Sequence, residues 1–216
     1  MQQLNSVEWR RLLRLFVAGA EEMRQVMMKP FEQDGWVCAS DSHVLLRVDK
    51  SYITDDYSTD KKTPNVDSVI PQYKPQFTVT KTDLITALVK LNIDYNETKV
   101  ECPYCDEECE VEWEYTDYDG DKHTMWGECP CCSGSGYIRN GINRFCEVNG
   151  SHLNAHYVIL LYQVMKDLSI DKVAVTVGNM RQLRFKITQG VDLVIMPCNL
   201  DNKRSKSVAS IKIFKL

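Results

Sequence analysis

Two pairs of cysteines, each pair separated by two residues, constrain this sequence more than any other feature. They are Cys102-Pro-Tyr-Cys105 and Cys129-Pro-Cys-Cys132, with 23 residues between them. Four thiolates satisfy the tetrahedral coordination of Zn(II). In a chain without a recognisable secretion signal, such pairs indicate metal binding before they indicate disulfides. We therefore predict a zinc ion bound by Cys102, Cys105, Cys129 and Cys132.

The predicted zinc has a structural role, because four protein thiolates leave no open position for a catalytic water. Free thiols, or an iron site with the same four cysteines, are the alternatives. Cys109, Cys131 and His123 are the substitutes if one of the four ligands is wrong. The pattern Cys129-x-x-Cys132-x-Gly134-x-Gly136 also resembles one repeat unit of the DnaJ-type zinc domain, of which only this single copy is present.

The segment that contains the knuckles is strongly acidic. Residues 101–140 hold 2 Lys+Arg against 11 Asp+Glu, whereas 1–100 hold 13 against 14 and 141–216 hold 11 against 5. Such a block repels phosphates, and the flanking parts could approach them. A solvated acidic surface loop is the alternative. Within the block, Val111, Trp113 and Tyr115 alternate with Glu, and a turn at Asp119-Gly120 precedes a returning stretch at 122–126, which predicts a hairpin.

The rest of the chain alternates between helical and strand-like patterns. Apolar spacing predicts helices at about 5–20, 82–92 and 152–168. Alternation predicts strands at 35–40, 43–48, 77–79, 173–177, 183–187 and 193–196. Helices packed on one side of an antiparallel sheet give an α+β fold, built here from repeated units of a strand, a helix and antiparallel strands.

Five segments follow from these patterns. They are a first unit with its connection (1–75), a second strand-helix unit (76–100), the acidic zinc-binding insert (101–140), a last unit (141–200) and a basic C-terminal extension (201–216).

Catalytic motifs are missing from the sequence, which favours a protein that is not an enzyme. There is no Walker loop, G-x-G-x-x-G or H-E-x-x-H; His152 and His156 stand four apart without the required Glu, and His156 is expected in the core. Ser40, Asp41 and His43 are neighbours in one turn, whereas triads are assembled from separate elements. The apolar runs fall far short of the ~20 residues that span a bilayer. We expect a cytoplasmic protein.

Two stretches resemble bacterial DNA polymerase sliding clamps, the β subunit. The hairpin Trp36-Val-Cys-Ala-Ser-Asp-Ser-His-Val-Leu-Leu-Arg47 resembles the A-T-D-G-H-R-L hairpin of the middle domain of those clamps. Leu193-Val-Ile-Met-Pro-Cys-Asn-Leu200 resembles the Y-V-V-M-P-M-R-L with which they close. Phe145-Cys-Glu-Val, the third helix and three strands follow in the order of the last half of the final clamp domain. The resemblance covers about half of the chain.

The resemblance implies a DNA clamp fold with two kinds of site. In the family, the two motifs line an apolar pocket for a short peptide of a polymerase or another replication protein. Carried over, the pocket walls are Ser40, Ser42, His43, Leu45, Val194, Met196, Pro197 and Leu200. Clamp helices face duplex DNA with basic side chains, here Arg10, Arg11, Arg14, Lys81, Lys90 and Lys166. Such contacts reach the DNA backbone and are independent of base sequence. Strand-end core residues and a solvated helix face are the alternatives.

The implied function is a clamp-like DNA-binding or processivity protein, from a phage or mobile element, that acts as a homo-oligomer on duplex DNA. The alternative is a monomeric, zinc-containing adaptor that grips a protein partner without encircling DNA. Several features depart from the family. The chain has room for about one and a half of the three clamp domains, Ser42, Val44 and Asn199 replace the family's Gly, Arg and Arg, and clamps lack a knuckle pair.

Overall fold

The computed structural model describes residues 4–19, 23–105, 108–200 and 208–216. Its helices are α1 (Ser6–Arg14), α2 (Lys81–Lys90) and α3 (Ala155–Asp167). Its strands are β1 (Phe31–Gln33), β2 (Trp36–Ser40), β3 (Val44–Asp49), β4 (Phe77–Thr80), β5 (Lys99–Glu101), β6 (Glu110–Thr116), β7 (Lys122–Glu128), β8 (Tyr137–Arg139), β9 (Phe145–Val148), β10 (Ser151–Asn154), β11 (Lys172–Val177), β12 (Leu183–Thr188), β13 (Val191–Ile195), β14 (Val208–Ser210) and β15 (Phe214–Lys215).

An eight-stranded sheet in the order β1-β2-β3-β13-β12-β11-β4-β15 organises the chain. Every neighbouring pair in it is antiparallel. The strands predicted at 35–40 and 43–48 form the hairpin β2–β3. The three strands predicted between 173 and 196 are β11, β12 and β13, each paired with the next. Smaller sheets join β10-β9-β14, β5-β8 and β6-β7. The predicted α+β class is confirmed.

The main sheet is buried on one face and partly covered on the other, because successive side chains of a strand point to opposite sides and Lys186 of β12 stays exposed on the second face. On one face, Val37 of β2 and Leu46 of β3 join a single core with the apolar residues of α1, α2 and α3. On the other face, Leu45 and Val194 join a smaller core that the segment around the 3-10 helix Val66–Val69 covers. All three helices therefore lie on one side of the sheet.

The first helix is shorter than predicted, and the expected end at residue 20 is wrong. A capping box between Asn5 and Glu8 starts α1, and Leu15 caps its C-terminus. Phe16 continues the apolar pattern and is fully buried, but Ala18 N–H donates to the carbonyl of Met27 instead of to the preceding helical turn. The chain bends there to meet the 3-10 helix Gln25–Met28. Ala20, included in the prediction, lies outside the described residues.

In the other two helices, the features that depend on local sequence match the prediction, and those that depend on tertiary contacts do not. In α2, the expected capping box of Thr80 and Asp83 is present. The third helix begins three residues later than predicted, because His152 and Leu153 belong to β10, and Asn154 caps α3 by accepting from His156 N–H at 2.9 Å. Every residue of α3 from 155 to 165 is buried, so this helix has no solvent face over that length, contrary to the predicted single stripe.

The C-terminal residues contribute to the sheets. Residues 201–207 of the predicted basic extension, which include Lys203, Arg204 and Lys206, lie outside the described residues. Beyond them, β14 pairs in parallel with β9, and β15 pairs with the edge of β4. Among the described residues, no helix combines the length and the apolar character that crossing a bilayer requires.

Candidate metal centre and binding surfaces

The two cysteine knuckles meet in space. The Sγ atoms of the four buried cysteines 102, 105, 129 and 132 all lie within 4.8 Å of one another. The Cys102–Cys129 and Cys105–Cys132 sulfur separations are 3.8 and 3.7 Å. A tetrahedron with Zn–S bonds of ~2.3 Å has sulfur–sulfur edges of about 3.8 Å. The predicted four residues therefore form a cluster of the size that a tetrahedral metal ion requires.

Backbone N–H groups donate to the sulfurs of Cys102 and Cys132, whereas burial dominates at Cys105 and raises its pKa to about 12. Gly136 N–H donates to Cys132 Sγ at 3.3 Å. Burial by itself would raise the pKa of Cys102, but backbone hydrogen bonds from Tyr104 and Cys105 and those from neighbouring thiols outweigh it and lower that pKa to about 7. Gly136, which follows the second knuckle, thus brings its backbone close to a sulfur of the cluster.

The three residues predicted as substitute ligands lie outside the four-cysteine cluster. Cys131 is exposed and Cys109 only half-buried, and neither belongs to the cluster. His123 lies on the β6–β7 hairpin, where its ring pairs with Asp117 at 2.7 Å and stacks on Tyr115. The four cysteines form a core of their own, with only Val111 and Ile138 packed against it among the described residues. A metal ion at this point would be the centre of the insert.

The two clamp-like motifs lie side by side, as the resemblance implies. Leu45 and Val194 are direct partners in the β3–β13 register, and Met196 N–H donates to the His43 carbonyl at 2.8 Å. Leu45 and Val194 are buried beneath Phe31 and the 66–70 segment. The remaining predicted wall residues are more accessible. Ser42 and His43 are exposed, and Ser40, Met196, Pro197 and Leu200 are half-buried.

A buried ion network joins the same two strands and was missed by sequence reasoning. Asp192 of β13, only 2% exposed, accepts from Arg47 of β3 at 2.9 Å and from two nitrogens of Arg184 at 2.9 and 3.0 Å. Arg47 also reaches Asp67 at 3.0 Å and lies 4.1 Å from the Trp36 ring centroid. The available signal was Arg47 in β3 and Asp192 in β13, each with an apolar residue on either side.

The turn between β2 and β3 is held by a second polar cluster. Asp41 accepts from Tyr157 OH at 2.9 Å and from Arg139 at 2.8 Å, which ties the hairpin to α3 and to the base of the zinc insert. The ring of His43 stacks on Tyr157. His156 is buried as expected, with Nδ1 at 3.1 Å from the Asn140 carbonyl. Burial, reinforced by the charge of Arg139, lowers the pKa of His156 to about 4.

The predicted DNA-facing cations lie on the three helices, and several of them have acidic neighbours. Arg10 pairs with Asp55 at 3.0 Å and Arg11 with Asp167 at 2.5 Å. Lys81 pairs with Asp171 at 2.8 Å, and Lys166 contacts Asn96 at 3.3 Å. Arg14 and Lys90 are exposed. The ion pair of Arg11 also joins the end of α1 to the end of α3.

Solved structures of bacterial sliding clamps are among the structures to which this chain is similar. The DNA polymerase sliding clamp from Bacillus subtilis matches at 13% identity and a TM-score of 0.47, over 91% of this chain and 63% of the clamp. The DNA polymerase III β subunit from Thermotoga maritima matches at 12% identity and a TM-score of 0.48, over 92% and 65%. No protein-family model and no curated protein matches the chain. The chain therefore spans less than two-thirds of these clamps.

Proposed function

We propose that this chain is a clamp-like processivity protein, in which several copies associate around or along duplex DNA in the cytoplasm. The helix layer is the DNA-facing surface in this proposal. The motif strands β3 and β13 present a docking place for a peptide of a replication or repair partner, and the four cysteines hold a structural zinc ion. No catalytic step is assigned to the protein.

One observation carries the proposal: all three helices share one side of a continuous antiparallel sheet, and each has exposed or half-exposed cations. Arg10, Arg11 and Arg14 lie on α1, Lys81 and Lys90 on α2, and Lys166 on α3. Contacts from several elements to a row of phosphates add up, because affinity scales with the number of phosphates neutralised. The resemblance of the two motifs to those of sliding clamps supports the same orientation.

The carboxylates beside these cations lower the DNA affinity that we expect. Asp55, Asp167 and Asp171 already pair with three of the six, and ion pairs at a protein surface hold a cation only weakly. A duplex can therefore compete for the cations at low salt. We expect weak, sequence-independent affinity that falls steeply as salt rises.

The proposed peptide site is the edge where the two motifs meet. Leu45 and Val194 are already covered, so the accessible part consists of the half-buried residues after β13 together with His43. We propose that an apolar side chain of the partner packs against Met196 and Pro197. Substituting Met196 by Ser is expected to weaken a peptide taken from the partner while it leaves DNA affinity unchanged.

The first experiment measures solution mass by light scattering on a sizing column, with zinc, at low and moderate salt, with and without a short duplex. The proposal expects a discrete oligomer that retains the duplex at low salt. A monomer indifferent to DNA would refute it and favour the alternative, a zinc-containing adaptor without a ring.

A charge-reversal pair then tests which surface meets DNA. Lys90→Glu changes an exposed residue on the helix side of the sheet. Lys186→Glu makes the same change at an exposed residue of β12 that points to the opposite side, since its neighbours Phe185 and Ile187 face the helices. The proposal expects weaker binding and a salt dependence reduced by roughly one phosphate contact for Lys90→Glu only. Equal effects of the two variants would show that the helix layer is not the DNA surface.

A further inference from the structure

The β6–β7 hairpin exposes large apolar side chains that the described residues leave uncovered. None of the strand residues of the hairpin is buried. Trp113 is 44% exposed, Tyr115 49%, Met125 55% and Trp126 62%. A two-stranded ribbon is marginally stable by itself, and clustered exposed aromatics on such a ribbon are typical of an interaction site.

The register divides these side chains between two different faces. Val111, Trp113 and Tyr115 oppose Gly127, Met125 and His123, respectively, and share one face because paired residues of an antiparallel ladder point to the same side. The strand residues of this aromatic face include no carboxylate, and the one that reaches it is Asp117, from the turn, at His123. The opposite face carries Glu110, Glu112, Glu114 and Glu128, together with Trp126, Lys122 and two threonines.

The aromatic face is ordered by contacts within the hairpin. The Trp113 ring lies across Gly127, where an added Cβ would come within 3.2 Å of two ring atoms. The Tyr115 ring stacks on His123 with centroids 5.4 Å apart, and Asp117 holds His123 at 2.7 Å. Rings fixed before binding lose little entropy when a partner arrives.

We propose that this aromatic face binds a basic, extended segment of a partner protein, with Arg side chains stacked on Trp113 and Tyr115. The two rings stand two residues apart on β6, about 6.8 Å, which is the spacing of alternate residues on a facing strand. Guanidinium groups stack on aromatic faces and pair with carboxylates. The glutamates of the hairpin lie on its opposite face, so the complementary charge is that of the insert as a whole, in which 11 acidic residues against 2 basic ones in residues 101–140 attract a cationic segment.

The partner is a protein segment because duplex DNA would be repelled by the same carboxylates. The outer edges of β6 and β7 offer backbone groups to which an extended segment can add as a third strand. A second copy of this chain is the competing occupant. One face of a seven-residue ribbon is small, however, compared with the ~800 Å² per partner of a stable interface.

A synthetic peptide tests the inference directly. The probe is a fluorescein-labelled peptide of alternating Arg and Thr, about the length of one hairpin strand, titrated with the zinc-loaded full chain by anisotropy. Trp113→Leu removes an aromatic ring and keeps apolar bulk, and we expect affinity to fall about tenfold. Trp126→Leu is the matched control on the acidic face, with an expected change below about twofold. Gly127→Val displaces the Trp113 ring and is expected to resemble Trp113→Leu.

Zinc content is measured for each variant, and Tyr115→Leu replaces Trp113→Leu or Gly127→Val if that variant loses metal. Equal effects of Trp113→Leu and Trp126→Leu would overturn the assignment of the face. No binding of the peptide by the wild-type chain, or a dimer on the sizing column that Trp113→Leu dissolves, would overturn the basic-segment partner. The assay contains no DNA, so its failure is distinguishable from failure of the clamp-like proposal.

Discussion

Replacing Asp192 by Asn tests whether the buried ion network holds the two motif strands together. The change removes the charge and turns one of the two carboxylate oxygens into an NH2 donor, so Arg47, whose side chain is only 10% exposed, loses its buried anionic partner, and Arg184 loses its bidentate one. Removing one partner of a buried pair destabilises by about 3–5 kcal/mol, because the other charge remains out of water.

The matched control is Asp67→Asn, which makes the same substitution on the other partner of Arg47. The Asp67 side chain is 59% exposed, so its pair with Arg47 contributes only about 0–1 kcal/mol. A chain of this size changes its melting temperature by about 2–4 °C per kcal/mol. Asp192→Asn is thus expected to lower the melting temperature by roughly 6–20 °C, and Asp67→Asn by less than about 4 °C.

Thermal unfolding followed by circular dichroism, with zinc present, measures both variants. If the two melting temperatures coincide within about 2 °C, the argument from burial is wrong. A triple variant, Arg47→Met and Arg184→Met with Asp192→Leu, separates the charge from the packing, since it removes all three charges of the network. It should recover most of the stability that Asp192→Asn loses.

Three further predictions follow from the insert and its surroundings. Cys102→Ser and Cys129→Ser should abolish stoichiometric zinc, measured by a colorimetric chelator assay, whereas Cys131→Ser, an exposed thiol outside the cluster, should keep it; full retention in Cys102→Ser would contradict the ligand set. The pKa of His156 is about 4 in the folded chain, below its unfolded value of 6.5, so the stability is fully present above pH 6.5 and declines by about 3 kcal/mol as pH falls toward 4. Urea unfolding of His156→Gln should therefore give a free energy of unfolding that depends less on pH over that window. Parallel pH profiles of the variant and the wild type would exclude His156 as the cause. Gly141→Ala should destabilise by roughly 1–3 kcal/mol, because φ is +77° and the new Cβ would approach His156 N to 3.0 Å; Gly150→Ala, with φ +76° and open space, should cause a smaller drop.

Local patterns in the sequence were sufficient to predict the features that depend on contacts between residues close together in the sequence. The capping box of Thr80 and Asp83 set the start of α2, and alternation set β11 and β12. The spacing of the two knuckles specified which four cysteines meet, because a single metal ion of fixed geometry leaves few other combinations. Strand register and the burial of individual residues were harder to predict, since both depend on partners distant in sequence.

The sequence by itself therefore determined the α+β class, the hairpins, the cysteine set and the juxtaposition implied for β3 and β13. Tertiary structure decided that α1 ends at Leu15, since Ala18 pairs with Met27, and that His152 joins a strand. It also decided that Leu45 and Val194 are covered, and that Asp192 gathers two arginines. Local patterns fix which side of a strand is apolar, whereas only the packed chain determines what covers that side and which charges meet beneath it.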